Sequence, residues 1–314
     1  MLEANISLLL SSSEIIERVL IILSLSFFGI FGRRLGFIKD EAKQSLANVV
    51  INITLPPLIF VSMLSDKSYE QLSAVIITPL ISFILIIIGM VFISLIGRFL
   101  SIPKDRSGTF IILSTMPNSA FIGFPVILSL LGKKGLGYAV LYDLGSTVAF
   151  FSIAIMILKG NRIIGEWWRG LLNLPLFALI LGLLVNRYVI EIPAVVIEPL
   201  QIMGNATIPL AMLLMGYMIG GVRFHRKFIN LELIGVCIIK LLIYPIFAAI
   251  IISHLKLDTV LRAVIIIEAA MPSMASSTVL VQKYGGDEQF AATGTFITTI
   301  LSVATVPLMV HFLL

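Results

Sequence analysis

Two interruptions of long apolar runs hold the residues best suited to bind a ligand. Their proline and polar residues are Pro117, Asn118 and Ser119 in the first break, and Pro272, Ser273 and Ser276 in the second. A proline inside a helix removes one backbone hydrogen bond and costs about 3 kcal/mol. Within a membrane such a break is tolerated where it is buried in protein or lines a cavity. We therefore predict that the two breaks face each other and form one site.

The chemistry of these breaks favours an anion. A helix that begins at a break presents unpaired backbone N–H groups and the positive end of its dipole, which attract a carboxylate. The Asn118 amide and the hydroxyl groups of Ser273 and Ser276 add side-chain donors. We predict that they bind a small organic anion. For Asn118 a second role is open, because its side chain could instead satisfy carbonyl groups that Pro117 leaves without a donor.

Ionisable residues inside apolar runs are costly and are functional candidates by default. Asp143 could carry a proton, or could join Thr147, one turn away, in holding Na⁺ through oxygen ligands. Glu268 lies near the middle of its apolar run and is the second candidate, although it could also pair with Lys240. We predict that the coupling ion is H⁺ or Na⁺.

The composition is that of an integral membrane protein. Hydrophobic residues make up 59% of the chain and charged residues 12%, and the mean hydropathy is +1.09, which excludes an ordinary soluble domain. We assign the net charge of +5 to membrane-flanking loops and not to nucleic-acid binding. The single cysteine excludes an intrachain disulfide, and the three histidines lack metal-ligand spacing, so no metal or other cofactor is expected.

The long apolar runs predict an all-α protein with ten transmembrane helices, since about 20 apolar residues cross a bilayer. The predicted spans are residues 14–32, 43–64, 72–97, 107–131, 136–158, 169–189, 195–219, 230–254, 259–283 and 288–312.

The distribution of basic residues predicts the orientation of these spans. If the N-terminus is outside, the inside loops carry fourteen of the 22 lysines and arginines and the outside positions seven. Cytoplasmic loops are enriched in lysine and arginine. We therefore predict a multi-pass protein of the cell inner (plasma) membrane with both termini outside.

An internal repeat divides the chain into two halves. The pattern Asn-x-Thr-aliphatic-Pro occurs twice, at Asn52, Thr54 and Pro56 and again at Asn205, Thr207 and Pro209. The offset between these motifs is 153 residues, and that between Pro117 and Pro272 is 155. We predict two five-span repeats, residues 1–158 and 169–314, joined by a short cytoplasmic linker at 159–168. Five spans are an odd number, so the second repeat must be inverted, as in many secondary transporters.

Two stretches resemble the auxin efflux carrier family, which includes plant auxin exporters and bacterial transporters of malonate and other organic acids. They are MPNSAFIGFP at 116–125 and the stretch from EAAMPS to SVATVPL at 268–308. The resemblance implies crossing broken helices 4 and 9 and an elevator-like mechanism. It also implies a scaffold of spans 1, 2, 6 and 7, often dimeric, and a moving bundle of spans 3–5 and 8–10. Plant members have a long central loop and an asparagine at the position of Ser273, so the substrate stays open.

These observations together predict a secondary active transporter of a small organic anion, either an auxin-like aromatic acid or a short carboxylate. Membrane lipid and a possible second copy of the chain are the expected partners, and no enzyme activity is expected. A proton/cation antiporter or a channel on the same scaffold is the alternative. An intramembrane aspartyl protease would need Asp143 and Asp287 as a pair, but Asp287 lies in a polar loop.

Overall fold

The fold is helical, as the sequence predicts. The structure, a computed structural model, describes residues 12–39, 41–64, 70–159, 173–221 and 230–314, and every regular element within these ranges is a helix. This follows from the apolar surroundings, where a helix satisfies its backbone polar groups within one segment. The predicted linker lies outside the described residues, except for Lys159.

Eight α-helices lie within the described residues of the first half of the chain. They are α1 (Ser12–Ser24), α2 (Ser26–Arg34), α3 (Ala42–Val49), α4 (Leu55–Leu64), α5 (Glu70–Phe99), α6 (Lys104–Thr115), α7 (Phe124–Ala149) and α8 (Ile155–Lys159). Wider π-helical turns connect some of them: Val50–Thr54 joins α3 to α4, Ser119–Gly123 precedes α7, and Phe150–Ala154 joins α7 to α8.

Eight more α-helices lie in the part of the second half that the structure describes. They are α9 (Leu174–Arg187), α10 (Ala194–Asn205), α11 (Thr207–Gly220), α12 (Leu231–Ile238), α13 (Tyr244–Ser253), α14 (Thr259–Ala270), α15 (Ser277–Tyr284) and α16 (Glu288–Leu313). The π-helical turn Ile239–Ile243 joins α12 to α13.

Six helical segments in the described ranges are long and apolar enough to cross a membrane. They are Ala42–Leu64, Val75–Phe99, Ser119–Lys159, Ala194–Gly220, Leu231–Ser253 and Glu288–Leu313. The chain is therefore a multi-pass membrane protein. The longest of these segments is interrupted at Gly132, whose backbone angles (φ 67°, ψ −161°) are not helical, between the predicted spans 4 and 5.

The other predicted spans do not form long continuous helices, and the number ten stays a prediction. Predicted span 1 is divided at Leu25 between α1 and α2, and the described part of predicted span 6 is the 14-residue helix α9. Predicted spans 4 and 9 are divided by the two proline breaks, after α6 and after α14.

Helices α2 and α11 cross with their backbones in direct contact. A Cβ atom added to Gly216 would lie 1.7 Å from the backbone oxygen of Ser26, and one added to Gly29 would lie 2.0 Å from that of Leu213. Only glycine leaves room for such an approach, which is the common way for membrane helices to pack closely. This crossing fixes one wall of the cavity described below.

A network of side-chain ion pairs joins the first turns of three helices. The Arg106 guanidinium in α6 contacts Glu232 in α12 at 2.8 Å and Asp287, directly before α16, at 2.7 Å. Asp287 also accepts a hydrogen bond from the backbone N–H of Phe290 and so caps α16. These contacts hold the helix that leads into the first break against the second half of the chain.

We expect Gly216→Ala to lower the midpoint of thermal unfolding, because overpacking at a tight contact typically costs about 1–3 kcal/mol. The matched control is Gly97→Ala in α5, where the added Cβ would lie 3.6 Å or more from its neighbours and alanine is the better helix former. Thermal unfolding of the detergent-purified variants checks this. Equal midpoints for the two variants would contradict the close crossing.

Candidate functional site

The two proline breaks lie side by side. Beyond α6 and α14 the backbone becomes extended, and Pro117 pairs with Ser273 in an antiparallel bridge. The backbone N–H of Asn118 donates to the Pro272 carbonyl at 2.9 Å, and that of Met274 donates to the Met116 carbonyl at 3.0 Å. The structure thus brings together the two stretches that the sequence predicts to face each other.

Ser273 completes the hydrogen bonding of the opposite break. In a continuous helix the Leu113 carbonyl would accept from the residue at position 117, but proline has no N–H. The Ser273 hydroxyl donates to this carbonyl at 2.6 Å instead. The Ser273 N–H donates to the Thr298 hydroxyl at 3.3 Å, and the side chain is fully buried. Thr298 was not singled out from the sequence, although its threonine-rich stretch at 295–299 was an available signal.

Lys240 contacts the ends of both helices that lead into the breaks. Its Nζ donates to the Thr115 carbonyl at the end of α6 and to the Ala269 carbonyl near the end of α14, each at 3.2 Å. The side chain is fully buried and lies in the π-helical turn between α12 and α13. Among the described residues, no hydrogen bond joins the carboxyl oxygens of Glu268 to Lys240.

Two carboxyl groups converge on the first break. Glu268 is fully buried, and neither of its carboxyl oxygens has a hydrogen-bond partner among the described residues. A Cβ atom on Gly123 would lie 2.8 Å and 2.9 Å from these oxygens, so glycine is what makes room for them. The Ser119 side chain lies beside both Glu268 and the half-buried Asp143. A buried carboxyl without a donor is costly, and this one is placed to hold a proton or a cation.

A cavity of about 330 Å³ reaches the first break. Asn118, with 6% of its surface exposed, lies on its wall. Apolar side chains cover much of the rest, among them Phe121, Met215, Val279 and Phe296, and two cations, Arg33 and Lys43, also line it. The cavity therefore offers an amide, positive charge and an apolar surface to one small molecule.

Arg33 is held in place at the edge of this cavity by its contacts with Tyr217. Its guanidinium donates to the Tyr217 carbonyl at 3.1 Å and lies 4.4 Å from the centre of the Tyr217 ring. A Cβ on Gly221 would overlap the guanidinium, so this glycine gives it space. In the sequence analysis, Arg33 and Lys43 are two of the fourteen basic residues counted for the inside loops. Their place at the cavity depends on how the helices pack.

The remaining predicted site residues lie in different places. Pro117 and Pro272 are buried in the paired breaks. Ser276 is exposed directly before α15, away from the contacts of Ser273. Thr147 is half-buried, one turn after Asp143 in α7. The structure thus separates the three serines, since Ser119 faces the carboxyl groups, Ser273 the backbone of the first break, and Ser276 the exposed surface.

The repeated Asn-x-Thr-aliphatic-Pro motif lies at two matching helix interruptions. Asn52 and Thr54 are in the π-helical turn before α4, and Asn205 and Thr207 are at the junction of α10 and α11. In both copies the asparagine is exposed and the threonine buried. Pro56 and Pro209 occupy first turns of helices, where proline is tolerated. None of the six motif residues is among those that line the cavity.

Comparison with known proteins gives the family. A sequence model of the membrane transport protein family matches residues 14–164 and 161–310. The chain belongs to this auxin efflux carrier-like family of membrane transporters. An uncharacterized transporter of Methanothermobacter thermautotrophicus is 29% identical over 297 residues, covering 93% of this chain and 96% of its own. An uncharacterized transporter of Methanocaldococcus jannaschii is 27% identical over 303 residues, covering 92% and 96%. These names indicate a membrane transporter and not an enzyme.

We expect Ser273→Ala to destabilise the protein, because it leaves the buried Leu113 carbonyl without a donor, at a typical cost of about 1–3 kcal/mol. Ser276→Ala is the matched control, because this serine is exposed. Thermal unfolding of both variants measures the difference. A Ser273→Ala midpoint equal to that of Ser276→Ala would show that the Ser273 hydroxyl does not support the break.

Proposed function

We propose that the protein is a secondary active transporter of a small organic anion that carries an apolar body. The observation behind this proposal is the cavity that reaches the paired breaks at Asn118. Membership of a membrane transport family supports the transporter role, and the lining of the cavity supports the substrate class.

Asn118 is the residue we assign to the substrate carboxylate. Ser273 and Lys240 already donate to the Leu113, Thr115 and Ala269 carbonyls, so these carbonyl groups do not need the Asn118 side chain. Its amide can donate two N–H groups to a carboxylate, and the positive charge of Arg33 and Lys43, which line the same cavity, favours an anion. This supports direct binding over the alternative role in the backbone of the break.

The apolar wall distinguishes between the two predicted substrate types. Phe121, Met215 and Phe296 offer a surface for an aromatic or aliphatic group, which a short dicarboxylate lacks. The volume of about 330 Å³ falls at the lower end of the range for small-molecule sites, about 300–1,000 Å³. We therefore favour an auxin-like aromatic acid or a similar monocarboxylate.

For coupling we propose proton exchange at Glu268 and Asp143. Both carboxyl groups lie beside Ser119 near the break, and the Glu268 oxygens have no donor among the described residues. A proton on Glu268 would remove the cost of an unpaired buried charge. Loss of this proton as the substrate moves would couple the two fluxes. Na⁺ held by the same oxygens is the alternative.

We propose ten spans in two inverted repeats, with the proline breaks as crossing helices 4 and 9. The matched helix interruptions at the Asn-x-Thr-aliphatic-Pro motifs support the repeat. The cavity is lined by residues of α2 and α11 and by residues of the first break, α15 and α16. These are the predicted scaffold and the predicted moving bundle, so an elevator-like movement between them would carry the substrate. A homodimer in the plasma membrane with both termini outside completes the proposal.

A proton/cation antiporter is the second candidate function. The Glu268 carboxyl beside Asp143, which has no hydrogen-bond partner among the described residues, is the observation that favours it. Such a pair of carboxyl groups could bind a cation without any organic substrate. The apolar side chains that line the cavity would have no role in that case, and for this reason we place the organic anion first.

Uptake of labelled organic acids into proteoliposomes tests the substrate. We expect aromatic monocarboxylates to be transported and Asn118→Ala to reduce uptake at least tenfold, since a hydrogen bond to a charged group is worth about 1.5–3 kcal/mol. The control is Asn48→Ala, an exposed asparagine outside the cavity. Equal uptake by the two variants would contradict the assignment of Asn118, and movement of cations without any acid would favour the antiporter.

Imposed ion gradients test the coupling. We expect a pH gradient to drive uptake by the parent protein, and Glu268→Gln to abolish this stimulation while exchange of internal for external substrate persists. Glu198→Gln, an exposed residue of α10, serves as the control. Stimulation of Glu268→Gln by a pH gradient as strong as that of the parent would contradict proton exchange at this residue.

A further inference from the structure

Lys240 holds together two helix ends that come from different halves of the chain. Its Nζ lies between the Thr115 and Ala269 carbonyls, 3.2 Å from each. In uninterrupted helices these carbonyls would accept from the N–H groups of residues 119 and 273. The breaks remove both donors, because Ser119 begins a new helical turn and the Ser273 N–H donates to Thr298.

Three other carbonyls at the paired breaks have donors from the opposite break. Ser273 donates to Leu113, Met274 to Met116, and Asn118 to Pro272. Without Lys240, the Thr115 and Ala269 carbonyls would thus be two buried acceptors at the negative ends of two helix dipoles. Such a place attracts a cation, and in many transporters with broken helices the half-helix ends and unwound carbonyls hold Na⁺.

We propose that the ammonium group of Lys240 is a built-in cation that takes the place of a bound Na⁺ between the ends of the two broken helices. The ammonium group supplies both positive charge and N–H donors, whereas a metal ion would supply positive charge alone. The Tyr244 ring, 4.8 Å from Nζ, adds a further attraction for a cation. Glu268 is the charged group of α14 that faces Lys240, and its carboxyl oxygens accept no hydrogen bond from it.

This inference deepens the proposed function, because a cation already fills the helix ends. The coupling ion would then bind at the Glu268 and Asp143 carboxyl groups. The inference rests on the proposed function only in that respect. The position of the cation itself is open to a test that requires no substrate, so a failure to transport organic acids would not decide it.

The test compares Lys240→Ala with Lys240→Met in thermal unfolding, in choline chloride, sodium chloride and methylammonium chloride at equal ionic strength. Alanine vacates the space for a small cation, whereas methionine fills it without charge or donors. We expect both variants to unfold at least 5 °C below the parent in choline. We expect Na⁺ or methylammonium to restore at least half of the lost unfolding temperature in Lys240→Ala. Neither cation should raise the unfolding midpoint of Lys240→Met.

A folded Lys240→Ala variant without cation-specific recovery would overturn the proposal. So would recovery of the same size in Lys240→Met, because it would not need the vacated space. If Lys240→Ala does not fold, Lys240→Arg and the double variant Glu268→Gln/Asp143→Asn decide. Lys240→Arg keeps the charge and should gain nothing from Na⁺ over choline. A gain from Na⁺ that persists in this double variant, with Lys240 intact, would place a metal ion at the helix ends and overturn the proposal.

Discussion

The backbone groups that two prolines leave unpaired inside an apolar bundle constrain the centre of this protein. No water is available in hydrocarbon to satisfy them, so the surrounding chain has to supply donors. The breaks satisfy part of the need by pairing with each other through Asn118 and Met274. Ser273 and Lys240 supply donors to the Leu113, Thr115 and Ala269 carbonyls. The need for these donors explains the position of the Ser273 and Lys240 side chains without reference to a substrate.

The same requirement divides the polar residues into two groups. Those that support the backbone are buried and hydrogen-bonded, as Ser273 is. Two side chains that make no such contact are the ones we assign to ligand chemistry, namely Asn118 at the cavity and Glu268 beside Asp143. An amide that faces an apolar cavity and a carboxyl without a donor are costly features in a membrane protein. We interpret them as the anion site and the coupling site of a transporter.

The sequence was sufficient to predict the helical class, the membrane location, the family and the pairing of the two breaks. The last of these came from the nearly equal offsets of two proline landmarks. The roles of single side chains required the structure. Nothing in the sequence shows that the Ser273 hydroxyl points to Leu113, or that Lys240 contacts carbonyl groups and not the Glu268 carboxyl. Arg33 lies at the cavity because α2 and α11 cross closely, and this crossing depends on Gly29 and Gly216.

The central claim is that the paired breaks and the adjoining cavity bind the carboxylate of an organic acid. A cryo-electron microscopy structure of the protein with a transported aromatic acid tests it most directly. The account predicts density for the carboxylate within hydrogen-bond distance of the Asn118 amide and for the ring between Phe121 and Phe296. Density for the acid elsewhere, with the Asn118 side chain free of it, would contradict the account.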